Sequence, residues 1–301
     1  MSNNKYRKII TVVGPTSTGK SELAVLIARR YNGEVISADS RQVYRGLDIG
    51  SGKITKTEMR GVPHHLLNVA DPRRIYTAAR YQRDARKILS SIFHRGALPV
   101  VCGGTGFYIQ ALVDGIVLPN VKPNRLLRKT LNRKTTSELA LLLKRADPAR
   151  AHFIDLRNKQ RVIRALEIVK ELNFVPDLKK DPLPYPILFI GIQPDKKIFK
   201  KRISTRIERW LRAGLRAEIR SLFRSGLSSE RVRSFGLVYS WALDLENGTI
   251  SRSAFVKGLA RDIYTYAKRQ QTWFRKNRRI HWVRNEREGL RLAQEFLKNS
   301  S

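Results

Sequence analysis

The chain is predicted to be α/β, a parallel sheet flanked by helices and interrupted by a helical insertion. Three observations in the sequence predict this. Short apolar runs alternate with stretches of helical spacing, the pattern of parallel strands buried on both faces. The first run leads through a glycine loop directly into a helix. Between the third and fourth runs lies a long segment of helical spacing with no strand pattern.

The elements follow in chain order. Ile9–Val13 is the first strand, and Glu22–Arg29 has the spacing of a helix. Glu34–Ala38 is a second strand ending at Asp39, and 98–102 a third ending in Gly103-Gly104-Thr105-Gly106. Between these two, Thr77–Phe93 carries Tyr81, Ala85, Ile88, Leu89 and Ile92 at helical spacing. A further helix starts near Phe107, and Pro119 and Pro123 then break the pattern. Residues 124–175 are mostly helical, and Pro182, Pro184 and Pro186 close that region. The strand 187–192 resumes the core. Long helices over 195–213 and 251–276, a last strand at His281–Val283 and a final helix complete it. The expected organisation is a core in two parts, 1–117 and 185–301, around a helical insertion at 118–184.

Gly14-Pro15-Thr16-Ser17-Thr18-Gly19-Lys20-Ser21 matches G-x-x-x-x-G-K-[ST], and the strand before it and helix after it are the context that motif needs. The fold class is therefore P-loop NTPase-like. The glycines let backbone amides approach an anion, and the helix adds the positive end of its dipole. Lys20 supplies a full charge, and Ser21 a hydroxyl suited to Mg²⁺. The loop alone grips a polyphosphate without saying which. Strand ends in open α/β sheets border the ligand crevice, which draws Asp39 and Thr105 toward the same place. Asp39 has the chemistry of a metal ligand, a base or a helix cap.

Composition narrows the partner. Lys and Arg total 60 against 25 Asp and Glu, a formal net charge of +35 in 301 residues. Such an excess suits a polyanion. It is steepest in 196–301, with 26 basic and 9 acidic residues, which marks that third as a nucleic-acid surface. There, Tyr264, Tyr266, Trp273 and Phe274 interleave with Lys268, Arg269, Arg275 and Lys276. No run approaches the ~20 apolar residues of a membrane span. Cys102 is the only cysteine, which excludes an intrachain disulfide, and Met1–Lys8 has no leader pattern. Both features lead us to expect a cytoplasmic protein. One cysteine and scattered histidines speak against zinc, so the adjacent His64 and His65 are expected to hydrogen-bond within the fold. No apolar helix seam stands out, and a monomer is expected.

Further motifs complete a pattern. They are Asp39-Ser40-Arg41-Gln42-Val43-Tyr44-Arg45-Gly46-Leu47-Asp48-Ile49-Gly50, His64-His65-Leu66, Gly103 to Tyr108, Gln160-Arg161-Val162-Ile163-Arg164-Ala165-Leu166-Glu167-Ile168, and Ala267 to Arg275. With the loop at 14–21, these make the chain resemble the tRNA dimethylallyltransferases, also called tRNA isopentenyltransferases, over nearly its whole length. The resemblance implies transfer of a dimethylallyl group from dimethylallyl diphosphate to N6 of the adenosine just 3′ of the tRNA anticodon. The loop would then hold a leaving diphosphate, with Arg206 as a further ligand, Mg²⁺ on Ser21, and Lys20 stabilising the charge. Asp39 would be the general base and Thr105 would steady the bridging oxygen. Asp39, Ser40, Arg41, Gln42, Thr105, Gln160, Arg161, Val162, Ile163 and Arg164 would contact the tRNA, with the insertion clamping the anticodon arm and the target base flipped out. The motif alone also admits prenylation of a free adenine nucleotide, a P-loop kinase or NTPase, or a non-catalytic RNA-binding protein. The chain departs from the family pattern at Ile154–Asn158, Gly236–Val238, Ile263–Tyr264 and Leu126.

Overall fold

The computed structural model describes residues 7–193 and 195–299. Its sheet comprises β1 Ile9–Val13, β2 Gly33–Ser37, β3 His64–His65, β4 Leu98–Gly103, β5 Ile187–Ile192 and β6 Ile280–Val283. The spatial order is β3-β2-β4-β1-β5-β6, and every pairing is parallel. The helices among the described residues are α1 Lys20–Arg30, α2 Lys56–Met59, α3 Ala78–His94, α4 Gly106–Val113, α5 Arg125–Asn132, α6 Thr136–Ala146 and α7 Pro148–Phe153. They continue with α8 Lys159–Leu172, α9 Lys196–Arg212, α10 Leu215–Arg224, α11 Ser229–Ser234, α12 Leu237–Glu246, α13 Arg252–Arg275 and α14 Glu286–Lys298. The predicted parallel sheet flanked by helices is the fold the chain adopts. None of these helices is long and apolar enough to cross a membrane.

The chain forms two compact units. The first takes the residues up to Gly115 and those from Pro182 onward. Alternation along its central strand sends side chains to opposite faces. Ile10 and Val12 join Leu23, Ile27 and Ala293 in a core beneath α1 and α14. Ile9 and Val13 join the larger core with Tyr81, Leu112, Ile207, Tyr239 and Phe255, from α3, α4, α9, α12 and α13. Side chains of Thr77, Asp195 and Ser251 accept backbone N–H groups at the starts of α3, α9 and α13. Each such cap contributes about 1 kcal/mol.

The second unit runs from Ile116 to Asp181. At its neck Ile116 bridges Lys180, and the Val117 N–H donates to Lys179 O at 2.8 Å. The cluster Pro182, Pro184 and Pro186 falls in the first unit. Leu131, Leu139, Leu143, Ala151, Val162, Ile163 and Ala165 form the core of the second. Glu167 is buried against that core, and Arg128 donates to both its oxygens at 2.6 Å. Arg164 and the Asn124 N–H also donate to it, at 3.2 and 2.9 Å. Paired this fully, a buried carboxylate is tolerated; removing one partner typically costs about 3–5 kcal/mol.

The predicted strands differ from the observed ones by a residue: β2 begins at Gly33, β4 extends to Gly103 and β6 begins at Ile280. β3 and the helices α2 and α10 to α12 were not evident in the sequence. β3 has no apolar run, and its strand character comes from pairing Val35 with His64 and Ile36 with His65. Both histidines hydrogen-bond as expected. His64 Nδ1 lies 2.8 Å from Val62 O, and His65 Nε2 lies 2.6 Å from Glu34 Oε2.

Arg95 Nε and Nη2 also donate to Glu34, each at 2.8 Å, and that pairing holds its carboxyl below the usual 4.5. A carboxyl depressed in the folded state stabilises above its unfolded pKa, and the contribution is lost as pH falls through the folded pKa. The urea midpoint is expected to drop below about pH 4.5, and less steeply in Glu34→Gln. Identical pH profiles for the two proteins would show that the cluster contributes nothing.

Candidate active site

The loop between β1 and α1 is built for an anion. Gly14 and Gly19 hold φ of 150° and 99°, and Ser17 is left-handed at 64°. A side chain at Gly14 would press on Ile192 O and Thr18 Oγ1, each 3.1 Å from its Cβ. Thr18 Oγ1 donates to Pro15 O at 2.9 Å and stiffens the turn. Gly19 caps α1 without a side-chain acceptor, so the first N–H groups of α1 have no capping side chain. Beneath the loop, Cys102 Sγ lies 3.6 Å from Lys20 O. Burial pushes this thiol up to about 11, which keeps it protonated and inert.

Three cations converge on the loop. Lys20 Nζ donates to Pro15 O at 3.2 Å. Burial lowers its pKa, outweighing the attraction of Cys102 and Asp39. Arg206, one of the predicted residues, reaches from α9 and donates to the hydroxyls of Thr16 and Ser17, each at 3.3 Å, and to Gly52 O at 3.2 Å. Burial, and then the neighbouring Arg209, lower its guanidinium to about 10. Its Nε is buried without a partner. Arg202, one turn earlier, donates to Thr18 O at 2.9 Å and was missed in the sequence.

Asp39 follows β2. Its Oδ1 accepts the N–H groups of Arg41 and Gln42 at 2.8 and 3.3 Å, while Oδ2 carries no hydrogen bond from the described residues. One oxygen therefore caps the turn, and the other is left for chemistry. Gln42 Nε2 donates to Gly52 O at 3.2 Å. Thr105 Oγ1 accepts the Ser40 N–H at 3.0 Å, which fastens the end of β4 to the turn after Asp39. Gln270 of α13, a further missed residue, accepts the Thr16 N–H at 3.2 Å and donates to Gly104 O at 2.7 Å. It thus ties the phosphate loop to the glycine turn that bears Thr105.

Lys20, Ser21, Asp39, Gln42, Lys53, Glu58 and Arg206 line one cleft of about 430 Å³, together with Thr16, Ser17 and Gly19. Gly14, Pro15 and Thr18 shape the loop from behind. Ser40, Arg41 and Thr105 stand beside the cleft and do not line it. No group of three or more His, Cys, Asp or Glu suited to a metal occurs among the described residues. The Ser21 hydroxyl and the Asp39 carboxylate are hard oxygen donors on the cleft wall. That set fits a Mg²⁺ ion only if the ligand's phosphate oxygens complete its shell.

In the second unit, Gln160 and Arg161 are exposed at the start of α8. Val162 and Ile163 are buried in that unit's core, so their side chains pack inward and do not face solvent. On a helix, residues so placed close the apolar face. Arg164 is turned inward onto Glu167 Oε2 and Val121 O. Among the aromatic residues of α13, Phe274 is core and Tyr266 is exposed. Lys268 Nζ lies 4.9 Å from the centre of the Tyr264 ring.

Because burial disfavours the charged Lys20, Lys20→Met is expected to hold or raise the thermal midpoint of the ligand-free protein while removing its binding of inorganic diphosphate. Thermal scans with and without diphosphate check this. A midpoint several degrees lower in the ligand-free variant would make the ammonium a structural group.

The family model described as IPP transferase matches residues 42–277. A tRNA dimethylallyltransferase of Pelotomaculum thermopropionicum is 37% identical over 292 residues, 95% of this chain and 93% of that relative. The solved full-length tRNA isopentenylpyrophosphate transferase of Bacillus halodurans is 34% identical with a TM-score of 0.71, covering 97% of this chain and 96% of that one. A eukaryotic dimethylallyltransferase acting on tRNA shares the fold, with a TM-score of 0.80 at 24% identity over 98% of this chain and 81% of that chain. With a phosphate loop, a half-engaged carboxylate and matches that span nearly all of its length, the chain belongs to the IPP transferase family.

Proposed function

We propose that the protein transfers the dimethylallyl group of dimethylallyl diphosphate to N6 of the adenosine at position 37 of tRNA, just 3′ of the anticodon, and releases diphosphate. The observation that carries this reading is the pairing, in one cleft, of an anion cradle and a carboxylate oxygen with nothing bound to it. The cradle takes the diphosphate, and alkylating an amine also needs a base for its proton; the discrimination from phosphoryl transfer rests on the family and on the charge.

The steps follow from the side chains. Lys20, Arg206 and the loop amides hold the diphosphate. As the allylic C–O bond breaks, its electron pair goes to the diphosphate, and these groups stabilise the growing charge. Mg²⁺, held by Ser21 and phosphate oxygens, would neutralise part of it. N6 of the adenosine forms the new C–N bond, and its proton passes to Asp39 Oδ2. Thr105 holds the Asp39–Ser40 turn, and its hydroxyl, which donates to Ser40 Oγ at 3.4 Å beside the cleft, would turn to the bridging oxygen when the diphosphate binds.

The anticodon stem-loop is the proposed partner. Asp39–Gln42 would meet the flipped adenosine, Gln160 and Arg161 the arm, and the basic third 196–301 the phosphates. Arg164 would act by fixing α8. A free nucleotide would not call for a net charge of +35. The protein is proposed to act as a monomer in the cytoplasm.

Labelled dimethylallyl diphosphate and Mg²⁺ with unmodified tRNA should yield N6-prenyladenosine in the RNA. Label in AMP alone, or ATP hydrolysis without prenylation, would sink the reading. Asp39→Asn retains an oxygen for the Arg41 and Gln42 amides but has no base. It should lose transfer by about 10²-fold or more while still binding tRNA. Near-normal turnover would remove Asp39 from the general-base role. Replacing Lys268 and Arg269 by Ala should reduce the slope of log affinity for tRNA against log salt by about one unit per cation. An unchanged slope would place the phosphate track elsewhere.

A further inference from the structure

Glu218, on α10, is a buried carboxylate outside the cleft, and its hydrogen bonds are unusually directed. Its Oε2 accepts the N–H groups of Asp48 and Ile49 at 2.8 and 2.7 Å. Its Oε1 accepts the Gly50 N–H at 3.0 Å and the Tyr239 hydroxyl at 2.9 Å. Three successive backbone amides thus close on one carboxylate, as they would on a bound anion. Tyr239 packs so closely on Gly50 that a Cβ there would lie 2.8 Å from Cζ of the ring. This tyrosine lies just beyond Gly236–Val238, where the chain departs from the family pattern.

The grip continues through the backbone. The Gly52 N–H donates to Ile49 O and the Lys53 N–H to Asp48 O, both at 2.9 Å. Lys53 Nζ donates to Tyr44 O, Asp48 Oδ1 and Asn68 Oδ1, at 2.8, 2.6 and 2.5 Å. The peptide of Gly52 is thereby fixed, and its carbonyl accepts two donors at 3.2 Å each. One is Gln42 Nε2, from the turn after Asp39, and the other is Arg206 Nη2, from α9, whose Nη1 bonds the phosphate loop.

We propose that Glu218 is a positioning residue for prenyl transfer. By setting the Gly52 carbonyl, it aligns the Arg206 guanidinium with the phosphate loop and the Gln42 amide with the Asp39 turn. The diphosphate grip and the acceptor side are then held by one peptide oxygen. This rests on the reading of the cleft given above.

A double-mutant cycle on binding of inorganic diphosphate tests it. Glu218→Gln keeps the volume but turns an NH₂ group toward backbone donors. It should weaken diphosphate binding roughly tenfold and raise KM for dimethylallyl diphosphate by a similar factor. Combined with Arg206→Lys, it should add little beyond the single Arg206 variant, since both act through Gly52. Tyr239→Phe, which leaves the three amides on Glu218, should give a smaller loss of the same kind. Gly52→Ala, whose Cβ would overlap the Arg206 guanidinium, should match Arg206→Lys without touching Glu218. Additive losses, or a kcat that falls only with the folded fraction at unchanged KM, would overturn the proposal. So would normal diphosphate affinity in Tyr239→Phe if Glu218→Gln does not fold. Failure of the unmodified protein to bind diphosphate would instead overturn the reading of the cleft, and this proposal with it.

Discussion

Crowded positive charge is the constraint on which the site depends. Lys20, Arg202 and Arg206 share one loop, and their hydrogen bonds run to carbonyls and hydroxyls, not to carboxylates. Neutral acceptors fix the geometry of these cations without discharging them. The result is a field that only an incoming anion relieves, strongest where water is least able to screen it. Burial is what mainly lowers Lys20 and Arg206, and neighbouring arginines add to it. An arrangement of this kind is tolerable because the loop is backed by buried strands that cannot yield.

The same logic separates the roles of the carboxylates. Glu34, Glu167 and Glu218 are each saturated by N–H or O–H donors, and each holds elements together. Asp39 is held by one oxygen only. A carboxylate fixed on one side and open on the other has a defined direction and a free oxygen, which is what proton transfer to a positioned acceptor requires.

The middle of the sheet was readable because its strands are buried on both faces and leave unbroken apolar runs. β3 was not, since two histidines become a strand only against β2. The chemistry at 14–21 and Asp39 was readable because it is local, its donors being contiguous in the chain. Arg202, Glu218 and Gln270 act across 166 residues or more, judging by their nearest site partners, and each sits in a helix where it reads as a surface polar residue. Val162 and Ile163 show the converse: they belong to a motif, yet their side chains pack in the core. A motif names a stretch, whereas a helix divides that stretch between core and solvent every few residues.

The central strand pairs with partners on both sides of the helical unit, Ile10 with Val100 and Ile9 with Ile187. On a ribosome β1 is therefore made before both its neighbours, and the second emerges only after the whole of 116–181. One edge of the most apolar strand must wait for it unpaired. The nascent chain is most exposed to misassembly in that interval, and the self-contained core of the helical unit gives the emerging segment something local to fold while it lasts.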